Sequence, residues 1–324
     1  MLFRSWVDHH AKERGISIHY LMEATGVYYE QLALFLHQRQ AYVCVVLPQK
    51  TACYIKALGI KSKNDQGDAQ ALATMACQQR LDAWKPITES MYKLRQLTRQ
   101  QIDLQEFKTQ INNQLMALEV GMYHSPAVKK QLEKLIAELD SQLAECLKLI
   151  KGAIEANAEW KRKTEQICRI KGVGILTVAN LITETNEFAL FENQRQLVSF
   201  AGYDVVENQS GKRVGKTRIS KRGNSRIRRA LHMPALMVVT YEQRPFIALY
   251  ERVYKQTNIK MKGYVAVQRK LLTLIFALWK KDAKYDPTYE PVAQKKVAPT
   301  EEATRHQPQG AVLEEANIGE LIES

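Results

Sequence analysis

The chain is 324 residues long, with 45% hydrophobic and 25% charged residues. That balance excludes a wholly disordered polypeptide, and no run of about 18 apolar residues exists to form a membrane span. Lysine and arginine outnumber aspartate and glutamate 47 to 34, an excess that points to a polyanionic partner, with nucleic acid the first candidate. The excess is concentrated ahead of Asp286, since eight acids and three bases follow from there. The first fifteen residues lack the apolar core and cleavage site of a signal peptide, so a cytoplasmic location is expected. The five cysteines (Cys44, Cys53, Cys77, Cys146, Cys168) include no CxxC pair. They read as buried apolar thiols rather than as disulfides or zinc ligands.

Residues 1–15 read as the end of an amphipathic helix, stopped by Gly15, with His9 and His10 solvated. Residues 16–22 alternate and are β-rich, predicting a strand with a turn at Glu23–Gly26 beyond it. A helix is predicted over 27–38 with Leu32, Phe35 and Leu36 inward, then a strand over 41–47 that Pro48 ends. Asn64 caps a helix running to about Gln79, with Ala69, Leu72, Ala73 and Ala76 inward. The β-α-β-α order means an α/β unit with a parallel sheet. Two strands cannot cover a core alone, so a partner or an upstream segment is expected to complete it.

From Glu89 to about Gln166, Leu94, Leu97, Gln101, Leu104, Lys108, Ile111, Leu115 and Leu118 alternate steps of three and four. After a break at Gly121–Pro126, the pattern resumes from Leu132 to Ile150. That is a coiled-coil helical hairpin, used either for self-association or as an intramolecular pair. Gly172 and Gly174 then form a Gly-x-Gly turn between two helices. Its backbone N–H groups can hold a DNA phosphate, although an ordinary interhelical turn has the same pattern.

Residues 209–230 contain nine Lys or Arg and no acid: Lys212, Arg213, Lys216, Arg218, Lys221, Arg222, Arg226, Arg228 and Arg229. A solvated face mixes signs, so this acid-free cluster favours phosphate contact. Its glycines predict a turn-rich loop or hairpin, after which Asn224 caps a helix continuing to Thr240. A last amphipathic helix covers 262–280, and the Pro-, Glu- and Gln-rich tail reads as disordered.

Asp65 and Asp68, spaced i, i+3, project from one face of a helix start, and Glu23 stands beyond a neighbouring strand. Such a carboxylate trio can hold Mg²⁺ against phosphates, although first-turn acids are also favoured by the helix dipole alone. Ser210 heads the basic stretch, where an alkoxide could attack a phosphodiester and cations could stabilise the leaving oxygen. Ser-Gly is equally a common turn, and Ser220 and Ser225 compete with it for that role.

Five segments in this order resemble the serine–DEDD transposases, the insertion-sequence one-ten family that includes the Piv/MooV DNA invertases. They are Met22-Glu-Ala-Thr-Gly-Val-Tyr28, Lys61-Ser-Lys-Asn-Asp-Gln-Gly-Asp-Ala-Gln-Ala-Leu-Ala73, Ile170-Lys-Gly-Val-Gly174, Leu197-Val-Ser-Phe-Ala-Gly202, and Gln209-Ser-Gly211 with Arg218–Asn224 and Arg228-Arg-Ala-Leu231. The resemblance covers about residues 1–280. It implies an α/β plus α architecture. A partial RuvC-like (ribonuclease-H-like) DEDD domain would span 1–86, a coiled-coil hairpin 87–165, and a mainly helical transposase domain with a helix-hairpin-helix-like element 166–284. A disordered acidic tail would span 285–324.

By the same resemblance, Glu23, Asp65 and Asp68 are three of four metal-binding acids, Mg²⁺ is the cofactor, and Ser210 is the nucleophile. The partners implied are DNA, a guide RNA and further copies of the chain. The family opens with a strand bearing the first acid in a G-I-D-V-type segment. Here the chain opens in the later helix, and Asp8 sits one element too late to replace that acid. A truncated or late-started product of doubtful activity is therefore expected. The alternatives are a non-catalytic nucleic-acid-binding relic and a site-specific invertase.

Overall fold

A computed structural model describes residues 2–12, 17–60, 64–206, 209–210, 213–215 and 218–286. Its front is a small α/β layer. Helix α1 (Leu2–Lys12) precedes strand β1 (His19–Glu23), helix α2 (Glu30–His37), strand β2 (Tyr42–Val46), and helices α3 (Pro48–Ala57) and α4 (Asp65–Gln78). The strands pair in parallel, His19 opposite Tyr42 and Glu23 opposite Val46, the pairing that a helical crossover permits. The first strand starts later than its alternation implies and takes in Glu23, because Ala24 N–H donates to the Val46 carbonyl at 2.8 Å beyond it. Glu23 is thus the last strand residue rather than the first of a turn. Pro48 ends β2 as expected and also opens α3, where its fixed φ suits a first helical turn.

The inward faces differ from the sequence reading. Helix α2 buries Ala33 and Leu36 while Leu32 is exposed, and α4 buries Ala71 and Met75 while Ala69 and Ala73 are exposed. A two-stranded sheet covers only a narrow stripe of each helix. The core here is correspondingly small: Tyr20, Ala33, Leu36 and Val43, with Trp84 packed against it. Trp84 N–H donates to the Val43 carbonyl at 2.7 Å, and the Tyr42 hydroxyl to the Leu81 carbonyl at 2.8 Å, so residues 81–84 lie alongside β2.

Helices α5 (Glu89–Val120) and α6 (Pro126–Glu155) form the expected hairpin as an intramolecular pair, each about 45–50 Å long. Lys108 pairs with Asp140 across it. The second arm stops at Glu155 instead of running to 166. Asn157 accepts hydrogen bonds from the N–H groups of Glu159 and Trp160 and so starts a separate helix, α7 (Ala158–Ile167).

Helices α8 (Ile175–Thr185) and α9 (Gln194–Phe200) follow, then four short strands, β3 (Val205–Val206), β4 (Gln209–Ser210), β5 (Arg213–Val214) and β6 (Arg218–Ile219). Helices α10 (Ser225–Ala230), α11 (His232–Thr240), α12 (Arg244–Thr257) and α13 (Lys260–Lys281) complete the described chain. The large core gathers Val267, Leu271, Ile275 and Phe276 of α13 around Leu181, Phe188 and Tyr203, and it takes in Met91, Leu94, Ile150 and Ile154 from the hairpin. The base of the hairpin and the C-terminal helices therefore share one apolar interior.

Cys44 and Cys146 are buried as expected, whereas Cys53 of α3 and Cys77 of α4 are exposed; all five thiols are free. Burial and the nearby Glu165 push the Cys168 thiol up to about 11. Among the described residues no helix is long and apolar enough to cross a membrane. The acidic tail lies outside the described residues from 287 onward.

Candidate active site and nucleic-acid interface

Glu23 stands at the carboxyl end of β1, the edge where open α/β sheets place their ligands. Hydroxyl donors hold both of its oxygens. Thr25 Oγ1 donates to Oε1 at 2.6 Å, and the buried Thr51 of α3 donates to Oε2. Helix α4 packs on β1. Ala76 and Cys77, near its end, line the same two cavities as His19 at the start of the strand. The helix therefore runs opposite to β1. Its 14 residues rise about 21 Å against about 17 Å for the strand, so its first turn reaches toward the Glu23 end.

Asp65 and Asp68 occupy that first turn, which Asn64 caps by accepting from Gly67 N–H at 2.6 Å, as its sequence predicts. The three carboxylates share one end of the layer and suit a hard divalent cation in donor type. Among the described residues, however, no three His, Cys, Asp or Glu side chains are grouped closely enough to hold a metal ion.

In the back half, β3 pairs antiparallel with β6 and β4 with β5, Ser210 opposite Arg213. The two pairings are nested, with Ser210 in the inner one, so the described residues of the glycine-rich stretch follow a hairpin-like ribbon order. Ser220 N–H donates to the Asp204 carbonyl at 2.8 Å and its hydroxyl to Asp204 Oδ2 at 3.1 Å, so Ser220 clips the root of the ribbon. Lys212 and Lys216 lie outside the described residues.

The remaining bases divide by environment. Arg218, Lys221 and Arg222 are exposed. Arg228 is turned inward, its guanidinium donating to the carbonyls of Ala201 at 2.8 Å and Gly223 at 3.2 Å. Arg229 pairs with Glu106 of α5. The Gly-x-Gly turn joins α7 to α8 as expected. Gly172 has φ +100° and backs onto Met237, while Gly174 is the N-cap of α8. The Gln243 amide ties this turn down, donating to the Lys171 carbonyl at 2.6 Å.

The sequence reading missed Glu184. Its side chain is buried in α8 and receives hydrogen bonds from Arg99 Nε at 2.9 Å and Asn224 Nδ2 at 2.7 Å. Burial raises its pKa, but the Arg99 and Asn224 hydrogen bonds and the Arg99 and Arg226 charges outweigh that and hold the carboxyl below its ordinary value. Arg95 Nε donates to the Thr183 carbonyl at 3.0 Å, and Tyr92 of the same helix donates to Glu30 Oε2 of α2 at 2.7 Å. A polar chain thus runs from the α/β layer through α5 to the start of the basic helix α10. Its signal in the sequence is a lone acid inside the apolar run Ile175–Thr185.

Residues 164–251 match the profile of the transposase IS116/IS110/IS902 family, and residues 2–123 match a second profile described as transposase, that of the DEDD part of the IS110 group. The chain belongs to the IS110 transposase family. It is similar to the pilin gene-inverting protein of Moraxella bovis, 26% identical over 284 residues, which is 87% of this chain and 85% of that protein. The pilin gene-inverting protein of Moraxella lacunata is similar to the same extent. The transposase for insertion sequence element IS1111A of Coxiella burnetii (strain RSA 493 / Nine Mile phase I) is 28% identical over 216 residues, 58% of this chain and 57% of that protein. As an IS110-family member the chain is a DNA transposase/recombinase enzyme, and its family generally uses divalent metal ions.

Proposed function

We propose that this IS110-family enzyme cuts and rejoins DNA strands of an insertion sequence through a covalent serine intermediate. Ser210 Oγ attacks a backbone phosphorus, losing its proton, and the displaced strand-end oxygen leaves protonated. Reversal onto a second strand end rejoins the DNA. The observation that carries this reading is the position of Ser210, in the inner pairing opposite Arg213, with the exposed Lys221 and Arg222 just beyond the outer one. Cations so placed stabilise charge developing on the phosphoryl oxygens.

Glu23, Asp65 and Asp68 share one end of the layer without forming a close group, and drawn together on the substrate phosphate they would hold Mg²⁺, which would polarise a phosphoryl oxygen and neutralise charge there. The hydroxyls of Thr25 and Thr51 keep the Glu23 carboxylate oriented for that task. The Gly172–Gly174 turn and the exposed bases position DNA phosphates. A guide RNA and assembly of several copies, bringing carboxylates and serine of different copies together, belong to the same reading.

Purified protein given Mg²⁺, element-end DNA and cognate RNA is expected to form a protein–DNA adduct that Ser210→Ala abolishes. An adduct formed equally well by the variant overturns the nucleophile assignment.

A second reading is site-specific inversion, favoured by the similarity to two pilin gene-inverting proteins over most of both chains. It predicts that a segment flanked by inverted copies of the recognition site is flipped within one plasmid. Excision or insertion without inversion decides for transposition.

A further inference from the structure

At the root of the ribbon, a cavity of about 700 Å³ opens between the ribbon and helices α12 and α13. Its volume lies within the range of about 300–1,000 Å³ usual for ligand sites. Leu249, Val265 and Ala266 line it with apolar surface, and Ile259 and Met261, 47% and 52% exposed, extend that surface outward. Arg218, Lys262, Arg269 and Lys270 also line it, and none of its described lining residues is acidic. Arg218, Lys262 and Arg269 are exposed and form no ion pair with the described residues. Lys270 is half-buried, with its ammonium on the Pro245 carbonyl at 2.8 Å. Burial and the charge of Arg252 hold that ammonium below its ordinary pKa, so an anion nearby would relieve it.

We propose that this cavity receives an unpaired nucleotide of a DNA strand, its base on the apolar lining and its flanking phosphates on Arg218, Lys262 and Arg269. Proteins hold single strands in a positively charged groove beside side chains on which the bases lie, most often aromatic ones; here aliphatic side chains supply that surface. A paired duplex cannot place a base there, because its bases are stacked inside. The location favours DNA as the occupant. Val205, Arg218 and Ile219, which line it, form the antiparallel pair that runs on into the exposed Lys221 and Arg222. The inference rests on DNA being the substrate and not on which residue is the nucleophile.

The test uses full-length protein and three oligonucleotides of one sequence: single-stranded DNA carrying 2-aminopurine, its duplex, and the RNA. The doubly reversed variant Lys262→Glu/Arg269→Glu is expected to bind single-stranded DNA at least about tenfold more weakly, with a salt slope lowered by roughly 0.7 per lost phosphate contact. Duplex affinity is expected to fall by a clearly smaller factor, the general loss of positive charge alone. Ala266→Trp, which fills the cavity, should abolish the 2-aminopurine fluorescence change. Should it prove unfolded by circular dichroism, the charge variant decides alone, because both its substitutions are at exposed positions. Equal loss for duplex and single strand, or no loss for either, overturns the proposal. A loss confined to RNA overturns the DNA assignment. Since no cleavage is read, failure of the Ser210 assignment leaves this result intact.

Discussion

The side-chain amide of Asn224 donates to Glu184 Oε2 at 2.7 Å, while its carbonyl oxygen accepts from the N–H groups of Arg226 and Ile227. One side chain therefore both caps the basic helix α10 and anchors that cap to a buried carboxylate. Glu184 is held in turn by Arg99, beside the Arg95 whose helix reaches the α/β layer through Tyr92 and Glu30. Helix α5 thus carries hydrogen bonds both to the carboxylate that anchors the cap of the basic helix and to Glu30 of the front layer.

Replacing Glu184 by Gln should destabilise the protein by about 2–3 kcal/mol in urea denaturation. The Arg99 side chain is 40% exposed, so water recovers part of its lost partner and the cost stays below that of a fully buried pair. Because the folded carboxyl lies below its ordinary value of 4.5, its contribution is complete above that pH and fades as the pH falls through the folded value. Wild type should therefore lose stability on acidification below about pH 4.5 more steeply than Glu184→Gln. Parallel profiles would show that Glu184 carries no such linkage.

Thr51 supplies a donor to Glu23 from a side chain only 2% exposed. Its single proton is shared between the carboxylate and the Pro48 carbonyl at 2.8 Å, both of which only accept. Thr51→Val keeps the shape and removes the donor, so stability should move by no more than about 1 kcal/mol. The Mg²⁺ concentration giving half-maximal strand cleavage should rise about tenfold, and Thr51→Ser should restore it. An unchanged Mg²⁺ dependence would separate Glu23 from the metal.

The sequence made legible those features that a local physical rule dictates. Asn64 and Asn224 announce their helices as caps, the three-four leucine spacing announces the hairpin, and the glycines around Ser210 announce a reversal of the chain. Helix α3 stayed hidden because Thr51 is its only buried residue among those described, which leaves no apolar stripe to read. The inward faces of α2 and α4 were misplaced because the pattern carries no measure of how little sheet they cover. The Glu184 chain joins residues 40 and 85 positions apart, and no local spacing encodes such a meeting. The placement of Asp65 and Asp68 toward the Glu23 end follows from the reversed run of α4 on β1, which is a tertiary fact.

The two glycines of the interhelical turn should respond oppositely to alanine. At Gly172 the backbone is left-handed, and an added Cβ would stand 2.7 Å from Met237 Cβ, so Gly172→Ala should cost about 2–3 kcal/mol. At Gly174 nothing lies within 4 Å of the added atom and φ is −102°, so Gly174→Ala should be nearly neutral in thermal denaturation. If Gly174→Ala nevertheless weakens DNA binding at unchanged stability, close approach of a phosphate to that backbone is the cause.

Arg222 and Arg228 stand six residues apart in one basic run, and they should fail in different ways. Arg222 is exposed, so Arg222→Ala should leave the denaturation midpoint in place, weaken DNA binding across sequences and reduce the salt slope by about 1. Arg228 instead spends its guanidinium on the carbonyls of Ala201 and Gly223. Truncating it leaves those acceptors to find other donors, and Arg228→Ala should cost about 1–3 kcal/mol of stability. Its effect on DNA affinity should then follow the loosening of the contact between the end of α9 and the start of α10, appearing as heterogeneity rather than as a lost phosphate contact. A full unit of salt slope lost in Arg228→Ala with no change in stability would mean that the side chain leaves its carbonyls for DNA.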